Sequence, residues 1–200
     1  MEERLIEALE TSPYLSETEI SKPRLLVYLM GPYKSYPPYE SLSADRGVAT
    51  TRTTLDEAVQ NLQATETDFD ADEALWLLIE LRRRLRKERG VNAFLATDPE
   101  IPLYEMDAAT QSIEFTKASV ATVFIAPAMG DNLGVGIEIG SVCEHLSSQE
   151  LREEVLFLGE QNVESSMIDA ISERWHVTVD EFDDFDGLYQ AVKAHIRQVA

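Results

Sequence analysis

The stretch VATVFIAPAMGDNLGVGIEIG, Val120–Gly140, decides how the fold is read. Its first part, VATVFIAPA, is a continuous apolar run rich in β-branched and aromatic residues, as expected of a strand buried on both faces. Its last part, GVGIEIG, places three glycines around one acid, Glu138, at the start of a helix predicted over 134–147. A helix start tolerates an acid, but glycine inside a helix costs about 1 kcal/mol relative to alanine. Gly134, Gly136 and Gly140 therefore mark a close approach to the backbone, by another element of the fold or by a ligand.

The same order of strand, loop and helix recurs on both sides. PRLLVYLMGPY carries an apolar run, Leu25–Met30, stopped by Gly31-Pro32. DADEALWLLIELRRRLRKERG is the strongest helix. Asp residues open it, Arg and Lys close it, and Gly90 ends it. Leu75, Leu78, Ile79, Leu81 and Leu85 form its buried stripe, and RRRLRK reads as its solvated basic end. VNAFLATDP is a second strand, YEMDAATQSIEFTKAS a helix and EEVLFLGE a fourth strand. A helix near Ser165–Arg174, the strand WHVTVDEF and a last helix from Phe185 to Val199 close the chain. Such alternation predicts an α/β fold with a five-stranded parallel sheet covered by helices on both faces. Residues 1–22, with Leu5, Ile6 and Leu9 on one side of a short helix, form an N-terminal extension to a single domain over 23–200. Within that domain 34–67, rich in Tyr, Pro, Ser and Thr, reads as a lid-like insertion.

Charge narrows the partners. Across 200 residues, 37 acids face 17 Lys plus Arg, a formal net charge of -20, and only five of the bases are lysines. Acids spread along the whole chain repel polyanions, which argues against nucleic-acid binding. They also repel one another at low salt, a strain that molar salt screens. The pattern reads as adaptation to a salt-rich cytoplasm, against the plainer reading of an acidic mesophilic protein; the two differ in whether the fold survives low ionic strength. One cysteine, Cys143, excludes an internal disulfide and reads as core packing. The three histidines do not stand at metal-ligand spacing, and no cofactor is expected. Neither a long apolar run nor a signal peptide is present, so a soluble, cytoplasmic protein without membrane contact is expected.

In a parallel sheet of this kind ligands bind beyond the carboxyl ends of the strands, here at GPYKSYPPY, TDPEIPLYEMD and AMGDNLGVG. Glu138 then has three readings. It can be a helix-start acid among glycines that pack on the sheet. It can belong to a dinucleotide-binding loop, but the glycines follow the third strand rather than the first. It can be a nucleophile, since attack at an anomeric carbon passes through a positive, oxocarbenium-like transition state that a carboxylate stabilises. Tyr28, on the first strand, would orient that carboxylate if strands one and three are neighbours.

From Leu25 to Leu158 the order VYLMGPY, then GDNLGVGIEIG, resembles the nucleoside 2-deoxyribosyltransferases and related nucleotide N-glycosidases, in a haloarchaeal version. Their pattern is a first strand ending in Tyr-x-x-Gly-Pro, an acidic loop, and Gly-x-x-x-Glu-x-Gly at a helix start. The resemblance implies a flavodoxin-like (Rossmann-like) domain that cleaves or transfers at the N-glycosidic bond of a nucleoside or nucleotide. It implies Glu138 as nucleophile, Tyr28 as its positioning tyrosine, and Gly31 and Pro32 beside the substrate. Gly134 and Gly136 would let the substrate approach, and Asp131 or Asn132 would contact sugar hydroxyls. The family's proton-donating Asp falls on Gln111 here, and the nearest acid, Asp107, stands one turn earlier. Asp98, ending the second strand, is a candidate for reading the base, and Tyr33, Tyr36 and Tyr39 for stacking on it. Lys34 and Arg46 are the cations available to a phosphate. A non-catalytic nucleotide-binding module and an NAD glycohydrolase are the alternatives. The family's habit of building sites between subunits implies a homodimer or larger, with WHVTVDEFDDF as a contact segment.

Overall fold

The structure, a computed structural model, describes residues 1–15, 19–32, 69–128, 133–146, 152–161 and 166–200. The segment 34–67, together with Tyr33, Asp131 and Asn132, lies outside the described residues. Five strands, β1 (Leu25–Met30), β2 (Val91–Leu95), β3 (Ala121–Ala126), β4 (Val155–Glu160) and β5 (Thr178–Phe182), form one parallel sheet in the order β2-β1-β3-β4-β5. This is the flavodoxin-like α/β arrangement. The chain passes from β1 to one edge, then returns across β1 to β3, so the strand order reverses between β1 and β3, the place where ligands bind in sheets of this kind.

Alternation along each strand sorts the core into two layers. Leu26, Tyr28 and Met30 of β1, Phe94 of β2, Phe124 of β3 and Phe157 of β4 face one side. There they meet α1 (Glu2–Glu10), α3 (Ala108–Ala118), α4 (Leu133–His145) and Ile171 of α5 (Ser166–Trp175). Val27, Leu29, Val123, Ile125 and Leu158 face the other side, against α2 (Phe69–Leu85) and α6 (Phe185–Val199). The predicted stripe of α2, Leu75 to Leu85, is buried throughout. Each such aliphatic side chain contributes roughly 1.5–3 kcal/mol when withdrawn from water. Leu5 and Leu9 of α1 are fully buried, so the N-terminal segment is part of the core. Cys143 is buried as well. Phe182, within the segment expected to offer aromatics to another subunit, is a core residue, and Trp175 and Phe185 are partly buried.

Two local devices end and start helices. After α2 the chain turns at Gly90, whose φ of +83 suits glycine, and a Cβ there would stand 2.8 Å from the Pro23 carbonyl oxygen. The fifth strand begins at Thr178, later than expected, because α5 runs to Trp175 and His176 takes a positive φ of 57 to leave the helix.

The basic run of α2 is not uniformly solvated. Arg83 is exposed and pairs with Glu80, and Arg84 pairs with Asp186. Arg82, four residues after Leu78, falls on the buried stripe. It is 2% exposed and pairs with Asp98, which is 0% exposed. Asp98 also accepts the Leu95 amide at 2.7 Å. Burial pushes the Asp98 carboxyl up, while the guanidinium and the amide pull it the other way. A buried charge that loses its partner is costly, whereas removal of both charges is tolerated. Arg82→Met should therefore lower stability by about 3–5 kcal/mol in urea unfolding at fixed salt. The double variant Arg82→Met/Asp98→Asn, which keeps an acceptor for the Leu95 amide, should recover most of that loss.

Candidate functional site

At the reversal β1 carries Tyr28. Alternation in β1 directs its ring into the layer beneath α3 and α4. There it stacks on Phe94 at 5.2 Å between centroids and meets the edge of Phe115 at 5.6 Å. Its register partners are Phe94 on β2 and Thr122 on β3, so it occupies the middle of the reversal. The side chain is fully buried, and its hydroxyl has no hydrogen-bond partner. Ser112 of α3 lies close enough to pull the phenol pKa down somewhat, though not within bonding geometry. The Ser112 hydroxyl instead donates to the Ala108 carbonyl at 3.0 Å. Burial dominates and pushes the Tyr28 pKa far above its ordinary value, and the charge of Glu138 raises it further. Tyr28 is thus protonated at every physiological pH, a donor rather than a base.

Glu138 enters from α4. Val135, Ile139, Val142, Cys143 and Leu146 of that helical face are buried in the Tyr28 layer. Glu138, three residues after Val135 and one before Ile139, is half-buried at the edge of this stripe. The structure therefore sets the helix that carries Glu138 and the ring of Tyr28 on the same side of the sheet.

The glycines divide by role. A Cβ on Gly31 would meet Leu78 at 2.7 Å, so this glycine makes room for α2 on the opposite face of the sheet. Gly31 and Pro32 are both buried. The space beside Gly31 is thus taken by the opposite face of the sheet, away from the Glu138 side. A Cβ on Gly140 would meet nothing within 4 Å. Gly134 and Gly136 both lie in the first turn of α4, and Gly136 is half-buried.

Three further candidates have structural occupations. Asp98 is held in the buried pair with Arg82, so it has no free face for a base. Asp107 caps α3. It accepts from the Thr110 amide at 3.0 Å and from the Thr110 hydroxyl at 2.7 Å, and these bonds lower its pKa. It is exposed and ionised near neutral pH, unsuited to give a proton. Gln111 uses both amide hydrogens on the loop before α3, donating to Ile101 and Met106 carbonyls at 2.9 Å each. Ser112 and Glu160 are the neighbours that the sequence did not single out. Glu160, the last residue of β4, accepts the Ala128 amide at 2.7 Å. Among the described residues no three His, Cys, Asp or Glu side chains converge as metal ligands, and no helix is long and apolar enough to cross a membrane.

Residues 2–200 match the family described as a domain of unknown function, DUF7509, and the chain belongs to it. No curated protein matches. Among solved structures the chain is similar to the metal-soaked Flv1 flavodiiron core from Synechocystis sp. PCC6803, at 13% identity and a TM-score of 0.42. The match covers 90% of this chain and 37% of that one, and so distant a likeness says nothing of chemistry.

The glycine assignments have opposite consequences for stability. Gly31→Ala must displace the buried end of Leu78 and should cost about 1–3 kcal/mol. Gly140→Ala meets no obstacle and should stabilise α4 by up to about 1 kcal/mol. Unfolding midpoints of the two variants in one buffer check both signs.

Proposed function

We propose that this protein cleaves or transfers at the N-glycosidic bond of a nucleoside or nucleotide, with Glu138 as nucleophile. The observation that carries the reading is the pairing of β1 with β3, which sets Tyr28 on β1 and the helix of Glu138 after β3 on one side of the sheet. One oxygen of Glu138 attacks the anomeric carbon, the carbon–nitrogen bond breaks, and its electron pair leaves with the base. The sugar remains as an ester on Glu138 until water or a second base displaces it. In the reaction we propose, the Tyr28 hydroxyl, unbonded in the structure, takes up the other oxygen of the carboxylate and fixes the attacking lone pair. Asp107 is ionised and Gln111 is committed to the loop, so neither supplies the proton to the departing base. This favours bases that leave readily and take their proton from solvent. Gly134 and Gly136 give the sugar its approach, and Asp131 or Asn132 meets its hydroxyls.

The setting we propose is cytoplasmic and salt-rich, and the working form is a homodimer or larger. Ile137, Leu103 and Tyr104, exposed at 57%, 67% and 88%, support a contact between copies near the carboxyl end of the sheet. The occupation of Gln111 favours one second reading, a nucleotide-binding module without turnover.

Base release from deoxynucleosides, ribonucleosides, their monophosphates and NAD, in molar KCl with and without an acceptor base, separates these. Glu138→Gln should lose release by roughly 10³-fold or more while still binding ligand. Release that survives the substitution removes Glu138 from the reaction. Binding without release by the wild type identifies the non-catalytic module.

A further inference from the structure

Glu160 stands where the β3–β4 ladder ends. The last register pair of these strands is Ala126 with Gly159, and one residue further on the backbone ladder stops. Glu160 extends the tie by its side chain, accepting the Ala128 amide at 2.7 Å across a sequence separation of 32. Its own backbone is held from the other side, since it is the register partner of Phe182 on β5 and the following Gln161 amide donates to the Phe182 carbonyl at 2.8 Å. The carboxylate thus joins the fixed β4–β5 edge to the point where the chain leaves β3 for α4. Six residues, 127–132, separate β3 from α4, and Ala128 is the second of them. A carboxylate–amide bond at a half-exposed site adds little to global stability. Its consequence is local, in the placement of the helix that carries Glu138.

We infer that Glu160 is a positioning residue for the Glu138 site, acting through its hydrogen bond to the Ala128 amide. The inference rests on the N-glycosidic reading for its kinetic consequence and on the hydrogen bond alone for its structural one. Glu160 touches no reacting atom in this account. It sets the distance between the Glu138 carboxylate on α4 and the Tyr28 hydroxyl on β1, and small displacements of this kind lower turnover more than binding.

The test compares wild type, Glu160→Ala and Glu160→Gln in base release, with thermal midpoints and amide nitrogen–proton spectra for each. In Glu160→Ala, kcat should fall about tenfold, KM should stay within about twofold, and the Gly136 and Glu138 amide signals should move. Glu160→Gln keeps a carbonyl oxygen for Ala128 and should restore kcat and the signals. Wild-type kcat in Glu160→Ala, or a loss explained by a lowered thermal midpoint, overturns the assignment. If the wild type releases no base, the glycosidic reading fails by itself and the spectra decide for Glu160. Displaced Gly136 and Glu138 signals then support it, and stationary ones overturn it.

Discussion

The burial of the central strands from both sides is the constraint on which the rest depends. All of β3 and five of six residues in β1 are buried. A strand with no wet face cannot carry polar chemistry along its length, so polar groups collect where strands end and helices begin. Tyr28 is the one polar side chain that β1 admits. Its hydroxyl, withdrawn from water, is costly unless it meets polar groups. That hydroxyl has no hydrogen-bond partner in the structure, and Ser112 and Glu138 bear on it only through its ionisation. The covering of the sheet sets the helix that carries Glu138 on the Tyr28 side.

Charge follows a second logic. The chain has few cations, and several of them join neighbouring elements. Arg84 lies 4.1 Å from the Tyr189 ring centroid and pairs with Asp186, linking α2 to α6. Lys193 and the Tyr189 hydroxyl both reach Glu88, at 2.6 and 2.5 Å. Arg82 holds Asp98 inside, and Arg174 pairs with Glu144 between α5 and α4. Cations committed to the fold leave the acid excess facing solvent, consistent with a small ligand rather than a polyanion.

The elements were legible in the sequence because their signals are local. Apolar runs gave the strands, and caps and periodicity gave the helices, within a few residues. What was not legible depends on contacts between distant segments. Arg82 looks like a solvated helix end until Asp98, on the far side of a turn, is seen to take its charge. Gly31 resembles a ligand-side turn until Leu78 fills its space. Asp107 was given a chemical role because it lies one turn from Gln111, yet Asp-x-x-Thr before a helix is also a capping signal. Glu160 ends an unremarkable apolar strand, and only its bond to Ala128 distinguishes it. Glu138 stands out in the sequence by its glycines, and the pairing of strands one and three puts its helix on the Tyr28 side of the sheet.

The most direct test of the central claim is to trap the ester. The protein would be incubated with a nucleoside bearing fluorine at the 2-position of the sugar. Fluorine there destabilises the oxocarbenium-like transition state and slows release of the sugar from the enzyme. Intact mass and peptide mapping would follow. One added sugar is expected, on the peptide that contains Glu138, and none in Glu138→Gln. Turnover of nucleosides by the wild type with the sugar attached to another residue, or attached to none, would contradict it.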